Sequence, residues 1–93
     1  MTERQREIGV GIVGLGFMGV THLRHWLAMP DVRVTILCDA KRLPADGDFS
    51  SVSGNIGGGP PIKVDPTRVR LTPNFDELLA DPATDIVDIC VPT

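Results

Sequence analysis

The sequence has no excess of positive charge, no long apolar run and only two cysteines. Nine Lys and Arg residues stand against 12 Asp and Glu residues, so the net charge of -3 favours neither nucleic acid nor an anionic membrane as a partner. No apolar stretch approaches the roughly 20 residues of a membrane span, and the charged residues 1–7 do not match a secretory signal. With 93 residues, the chain is predicted to be one small cytoplasmic domain or a piece of a larger one.

The two cysteines, Cys38 and Cys90, each lie near the end of an apolar run. If these runs are strands on either side of a central strand, they are about 9–10 Å apart. That separation is too large for a disulfide, so we expect both cysteines to be reduced, buried and structural. No group of His, Cys and carboxylate residues has metal-ligand spacing along the sequence, and no metal site is expected.

Apolar, β-branched runs alternate with helical patterns along the chain. The predicted strands are residues 8–13, 32–38, 69–71 and 85–91, and the predicted helices are residues 17–29 and 74–81. Near-continuous apolar strands separated by helices indicate an α/β fold with a parallel sheet covered on both faces. Gly19, Leu23, Trp26 and Leu27 fall at helical spacing and are expected to face the sheet. Asn74, three residues before Glu77, is the expected cap of the second helix.

Residues 40–68 carry no helical or alternating pattern. The segment contains five glycines and four prolines, with SGNIGGGPP at its centre. Unpatterned segments of this length are uncommon inside compact domains and are usually functional loops or disordered insertions.

The segment from Gly14 to Gly19, GLGFMG, is a G-x-G-x-x-G motif between a predicted strand and a predicted helix. In a dinucleotide-binding turn, Gly14 would allow the tight turn and Gly16 would let the backbone approach a pyrophosphate. Gly19 would let the helix lie against the sheet, and the N–H groups around Phe17 and Met18 would face the phosphates. The alternative is that the glycines serve only a packed strand–helix corner.

Asp39 ends the second strand twenty residues after Gly19, where a dinucleotide-binding domain places the ligand of the adenosine ribose. Its negative charge should repel a 2′-phosphate, which favours NAD over NADP. Lys41 and Arg42 follow it and could pair with such a phosphate, so NADP stays open.

Three segments together, VGIVGLGFMGVTHLRHW, VTILCDA and NFDELLADPATDIVDICVPT, resemble the N-terminal domain of the Gfo/Idh/MocA (glucose–fructose oxidoreductase, inositol dehydrogenase, MocA) family. The resemblance covers about two thirds of the chain and implies a Rossmann-type doubly wound parallel sheet, here incomplete with about four strands and two helices. It also implies NAD(P)-dependent hydride transfer on sugars, cyclitols or related hydroxy compounds, in an enzyme that is expected to be a homo-oligomer. The cofactor-binding positions implied are Gly14, Gly16, Phe17, Met18, Gly19, Asp39, Val91, Pro92 and Thr93.

Two departures from the family pattern stand out. Family members usually have a helix between the second and third strands, where this chain has residues 40–68. The family also continues to a Glu-Lys-Pro motif with the catalytic lysine and to a C-terminal substrate domain, and neither lies within residues 1–93. These residues are therefore predicted to be the N-terminal part of a dinucleotide-binding domain, without catalytic residues of their own.

Other side chains receive structural interpretations. His22 is expected to pack or hydrogen-bond locally rather than to transfer a proton, and Trp26 is expected in the core. Asp88 lies within an apolar strand and needs a hydrogen-bonding partner that the sequence does not name. The rival functions are a non-catalytic NAD(P)-binding module or truncated remnant, and an FAD-type site, which DIVDICVPT fits less well.

Overall fold

A computed structural model describes residues 7–41, 43–49 and 62–91. Its elements are β1 (Ile8–Val13), α1 (Phe17–Ala28), β2 (Val32–Cys38), β3 (Arg70–Thr72), α2 (Phe75–Leu79) and β4 (Ile86–Ile89). All strand pairs of the described sheet are parallel, in the order β3-β2-β1-β4. The predicted α/β fold is confirmed, and β2 and β4 flank β1, which is the arrangement that the argument about the two cysteines assumed.

The predicted element boundaries are close to the observed ones. β1 and β2 have the predicted bounds, β3 begins one residue later than expected, and α1 ends one residue earlier. β4 is shorter than the predicted 85–91 and α2 is shorter than the predicted 74–81, although the N–H groups of Asp85 and Cys90, just outside β4, still bond to β1. The Asp85 N–H donates to the Gly9 carbonyl at 2.7 Å, and the Gly9 N–H donates to the Asp85 carboxylate at 2.8 Å.

The larger core cluster lies between the sheet and α1. Val20 and Leu23 of α1 are buried against strand residues that include Val10, Ile12 and Leu37. Leu27, which was expected on this face, is 45% exposed, so that prediction was wrong. Val20 takes the place assigned to Leu27, because the face buried on the sheet is centred one turn nearer the helix start, beside Gly19.

The flanks of the long unpatterned segment are ordered against this core. Asp48 and Lys63 form an antiparallel bridge, and the Phe49 N–H donates to the Ile62 carbonyl at 2.8 Å. Phe49 is fully buried and Ile62 nearly so, and burial of each side chain contributes about 1.5–3 kcal/mol. The described flanks contain no helix or extended strand, as the missing periodicity indicated, but the bridge and the burial of Phe49 and Ile62 hold them against the core. Residues 50–61, the centre of the predicted loop, lie outside the described residues.

The start of α2 is closed by side chains. The Asn74 side chain accepts the N–H of Asp76 at 2.9 Å, which confirms the predicted cap. Glu77 does not complete a reciprocal capping box with the Asn74 N–H, which bonds the Thr72 hydroxyl instead. The Glu77 carboxylate accepts the Thr72 hydroxyl at 2.8 Å and lies 3.1 Å from Arg70. Asp76 and Glu77 also place negative charge in the first turn of the helix.

β4 forms one edge of the described sheet and carries exposed apolar side chains. Ile86, Ile89 and Val91 are 41%, 60% and 51% exposed. An apolar edge strand with unpaired backbone groups is a template for pairing with another strand.

We predict that residues 1–93, taken alone, self-associate through the β4 edge. Ile89→Lys should shift the chain toward monomer, because a charge on the edge strand disfavours pairing; sedimentation velocity over a range of concentrations measures this shift. Leu27→Lys, at an exposed apolar position on α1, is the matched control and should leave association unchanged. A sharp, reversible and concentration-independent unfolding transition of the unmodified monomer would contradict the prediction.

Candidate functional site

The turn between β1 and α1 is built on two glycines that the fold itself requires. Gly14 has φ of +92°, which L side chains rarely adopt, and a Cβ there would lie 2.8 Å from the carbonyl group of Cys90. A Cβ on Gly19 would overlap the carbonyl oxygen of Gly14. Packing in the strand–helix corner is therefore enough to explain the glycines at positions 14 and 19, as the alternative interpretation of the motif held.

Gly16 differs from these two glycines. Its φ of −78° and ψ of −160° are open to other residues, so backbone conformation does not demand glycine there. It is the N-cap residue of α1 and lines the large cavity described below. A glycine at this position keeps the cavity wall free of side-chain atoms.

The N-terminus of α1 has no side-chain cap and no acidic residue in its first turn. The Val20 N–H donates to the Gly16 carbonyl at 3.0 Å, and the N–H groups that precede Val20 come too early in the helix for an intrahelical acceptor. No side chain of the helix itself therefore offsets the partial positive charge at this end. α2 is the opposite case, because a side chain and two acidic residues close its N-terminus.

Asp39 joins the end of β2 to this turn. Its Oδ2 accepts the N–H of Leu15 at 2.6 Å, and its Oδ1 accepts the N–H of Lys41 at 2.8 Å. The side chain is partly buried. A carboxylate offers about four acceptor positions, so these bonds are compatible with a further bond to a hydroxyl group of a ligand.

A cavity of about 830 Å³ opens at the C-terminal edge of the sheet, where open α/β sheets bind ligands. Its walls come from the β1–α1 turn, the end of β2, the start of α2 and the end of β4. The lining residues are Val13, Gly14, Gly16, Phe17, Met18, His22, Cys38, Asp39, Ala40, Lys41, Pro73, Phe75, Ile89, Cys90 and Val91.

The structure thus brings together six of the nine residues predicted to bind the cofactor. Gly14, Gly16, Phe17, Met18, Asp39 and Val91 line the cavity. Gly19 lies behind the turn, against Gly14, and Pro92 and Thr93 are outside the described residues, as is Arg42.

Sequence reasoning missed two further pairs of lining residues. His22 and Cys90 were interpreted as structural, and Pro73 and Phe75 were assigned no role, yet all four line the cavity. The available signal was topological: residues that follow β3 and end β4 reach the same edge of a parallel sheet as the β1–α1 turn.

Asp88 has the partners that its place in an apolar strand requires. Its Oδ2 lies 2.8 Å from the Nδ1 atom of His22 and accepts the Trp26 indole N–H, also at 2.8 Å. Partial burial acts to raise the pKa of Asp88, but the hydrogen bonds from Trp26 and His22 outweigh burial and hold this pKa below its ordinary value. These bonds join α1 to β4. They show that His22 bonds to a residue far away in the sequence, and not locally as was expected.

Both cysteines are free thiols, but only Cys38 is fully buried. Burial raises the pKa of Cys38, and the carboxylates of Asp39 and Glu77 add to the shift. Burial and the neighbouring Asp88 raise the pKa of Cys90 to about 11. The expectation of two buried cysteines was therefore wrong for Cys90, which is half-buried and reaches the cavity.

Gly19→Ala should lower the free energy of unfolding by about 1–3 kcal/mol, because the new methyl group meets backbone rather than a side chain that can move. Gly16→Ala should leave the fold intact, since its φ is allowed for alanine. Urea denaturation of both variants measures the contrast. Equal stability of the two variants would show that the Gly14–Gly19 contact does not constrain the fold.

Asp88→Ala should cost about 1–3 kcal/mol, because the half-buried Trp26 N–H loses its acceptor. Since the folded-state pKa of Asp88 is lowered, its contribution is present above the unfolded-state pKa of about 3.9 and is lost as the pH falls through the folded-state value. Unfolding measured from neutral to acidic pH should thus show the variant and the parent converging below about pH 4. Asp31→Ala, at an exposed position, is the control, and a deficit that does not depend on pH would contradict the role of the charge.

No described helix is long and apolar enough to cross a membrane. Comparison with known proteins identifies proteins that this chain resembles. A glycosyl hydrolase family 109 protein of Streptomyces niveus is 32% identical over 90 residues, which are 97% of this chain and 17% of that protein. The crystal structure of GenD2 from gentamicin A biosynthesis, in complex with NAD, superposes with a TM-score of 0.64 at 27% identity, over 98% of this chain and 22% of that one.

The chain therefore spans about a fifth of the length of each of these two relatives. The sequence model of the GFO_IDH_MocA family, described as an oxidoreductase family with an NAD-binding Rossmann fold, matches residues 8–93. The chain belongs to the Gfo/Idh/MocA oxidoreductase family and is part of its NAD-binding Rossmann domain.

Proposed function

We propose that this domain binds NAD in the cavity at the C-terminal edge of the sheet, with the pyrophosphate at the start of α1 and the adenosine ribose at Asp39. The observation that carries the proposal is that an uncapped helix N-terminus and a carboxylate at the end of the neighbouring strand line one cavity. The Leu15 N–H bond to Asp39 holds the two groups in a fixed relation.

The pyrophosphate position rests on the electrostatics of α1. The N–H groups of Phe17 and Met18 are in the first turn, where the helix dipole favours an anion and where the helix itself carries no acidic side chain. Gly16 lets phosphate oxygens come close to the backbone. Gly14 and Gly19 contribute indirectly to phosphate binding, because they let the turn and the helix approach each other.

Preference for NAD over NADP rests on Asp39. A carboxylate that accepts ribose hydroxyl groups would repel a 2′-phosphate at the same place. The backbone N–H of Lys41 is bonded to Asp39, so the lysine follows the carboxylate closely along the cavity wall. Lys41 is the described residue that could compensate such a phosphate, and it keeps NADP as the less favoured cofactor.

The nicotinamide end is assigned to the end of β4. Ile89, Cys90 and Val91 line the cavity at the side away from Asp39, because β4 and β2 lie on opposite sides of β1. Pro92 and Thr93, which follow directly, remain part of this assignment as a prediction. Apolar side chains there would exclude water from one face of the nicotinamide ring, and NAD when bound supplies the hydride acceptor of the reaction.

For the whole protein we propose an oxidoreductase that acts on sugars, cyclitols or related hydroxy compounds. The family of the chain supports the reaction type, and the name of one relative, glycosyl hydrolase, refers to glycosides. Because the relatives are about five times longer, the substrate and the catalytic lysine of the family are assigned to sequence outside residues 1–93. A cytoplasmic location and homo-oligomeric assembly belong to the same proposal.

The rival function is an NAD-binding module without catalysis. It is favoured by the fact that none of the residues lining the cavity matches a catalytic position of the family. Turnover by the natural protein on a panel of sugars and polyols, measured as a change in NADH absorbance, would exclude this rival. Cofactor binding without turnover on any member of the panel would support it.

Asp39→Ala should weaken NADH binding by about 10-fold or more, because a charged hydrogen bond contributes about 1.5–3 kcal/mol. Asp39→Asn is the informative partner variant, since its side-chain oxygen can still accept the Leu15 N–H while its negative charge is gone. It should bind NADPH better, relative to NADH, than the parent does. Isothermal titration with both cofactors measures the two effects.

Asp76→Asn, at an exposed position on α2, removes one negative charge outside the cavity and serves as the matched control. It should leave the ratio of the two affinities unchanged. Unchanged NADH affinity in folded Asp39→Ala would rule out the ribose role of Asp39. A normal NADH affinity together with an unaltered cofactor ratio in Asp39→Asn would rule out its role in selectivity.

A further inference from the structure

Three potential metal ligands meet between α1 and β4, where two of them, His22 and Cys90, also line the cavity. They are the Nδ1 atom of His22, a carboxylate oxygen of Asp88 and the Sγ atom of Cys90, all within 4.8 Å of one another. We propose that this His22–Asp88–Cys90 cluster binds a borderline-soft divalent cation of the zinc class. The ion would lie at the cavity wall, beside the residues assigned to the nicotinamide end, and its binding is tested without the cofactor.

Two of the distances within the cluster suit a tetrahedral ion, and the third, 2.8 Å between the His22 Nδ1 atom and the Asp88 Oδ2 atom, is a hydrogen bond that the ion would replace. Zinc lies about 2.0–2.1 Å from histidine nitrogen and about 2.3 Å from thiolate sulfur, so tetrahedral ligands of these kinds lie about 3.5 Å apart. The Cys90 Sγ atom is 3.4 Å from the His22 Nδ1 atom and 3.5 Å from the Asp88 Oδ1 atom. Small movements of the three side chains would therefore complete the coordination.

The fold places the ligands on two rigid elements. Asp88 and Cys90 are two residues apart on β4 and its extension, so their side chains share one face of the strand. His22 comes from the second turn of α1. The Trp26 N–H binds the Oδ2 atom of Asp88, which leaves the Oδ1 atom directed at Cys90. Such an outer hydrogen bond is typical of a carboxylate that ligates a metal.

The charges of the cluster also match a divalent ion. On binding, Cys90 would lose its thiol proton to solvent, and His22 would coordinate the ion through its Nδ1 atom. A carboxylate and a thiolate then balance the two positive charges, and a neutral assembly is tolerated in a half-buried position. His22 and Cys90 line the cavity, so the fourth coordination position would be open to water from that side.

Cobalt(II) alone, added to the full chain without cofactor, is the direct probe. We expect the near-ultraviolet absorption of a cobalt–thiolate bond and visible bands of tetrahedral intensity, both abolished by a stoichiometric amount of zinc. Cys90→Ser should eliminate the thiolate absorption and weaken binding by at least about 10-fold, roughly the effect of one lost interaction of about 1.4 kcal/mol. Cys38→Ser removes the other, buried thiol and is the matched control that should keep the absorption.

The histidines provide a second matched pair. His22→Ala should weaken cobalt binding by at least about 10-fold, whereas His25→Ala, at an exposed position three residues along the same helix, should not. Circular dichroism and the fluorescence of Trp26, the single tryptophan, show whether each variant is folded. Absence of thiolate absorption in the folded parent chain overturns the proposal whatever the variants do. Equal absorption in folded Cys90→Ser overturns it as well.

Discussion

The contact on which this structure depends is the approach of two backbone segments without side chains between them. Gly19 brings α1 against the carbonyl group of Gly14, and Gly14 in turn lies against the carbonyl group of Cys90. Through these contacts the helix, the turn after β1 and the end of β4 are stacked at backbone distance. A methyl group at either glycine would push one layer outward. The position of the helix N-terminus relative to the sheet edge therefore depends on the absence of a side chain at both glycines.

That stacking has an electrostatic result. It sets the uncapped start of α1 at the wall of a cavity whose other walls are the ends of β2 and β4. α2 shows what the same chain does when a helix start has only a structural role, because Asn74 and two acidic residues close it. The difference between the two helices marks the start of α1 as the end with spare capacity for an anion.

Much of the fold could be predicted because its signals are local. The β-branched run at Val32–Cys38 and the glycine motif each specify an element within a few residues, and Asp39 follows from their spacing. The partners of Asp88 could not be predicted, since His22 and Trp26 lie more than sixty residues earlier in the sequence. A carboxylate within an apolar strand predicts that some hydrogen-bond donor lies nearby. Which donor it is depends on how α1 packs against β4, which the sequence does not show.

The core residues in the flanks of the long loop could not be predicted either, for a different reason. Phe49 and Ile62 are core residues embedded in a sequence rich in glycine and proline, and their burial depends on a backbone bridge between distant positions. Periodicity cannot detect such residues, because neither belongs to a repeating element. The position of Cys90 in the cavity wall could not be predicted either. The alternation of side chains along β4 does not reveal how far the end of the strand reaches into the cavity.

The bond between the Leu15 N–H and the carboxylate of Asp39 has one more consequence. The residue assigned to the ribose also holds the loop assigned to the phosphates, so folding orders both halves of the receptor before any ligand arrives. A preorganised receptor loses little conformational entropy on association, and more of the contact energy then remains as affinity. In the proposed binding mode, recognition at this edge depends on a hydrogen bond within the folded chain that the cofactor itself does not make.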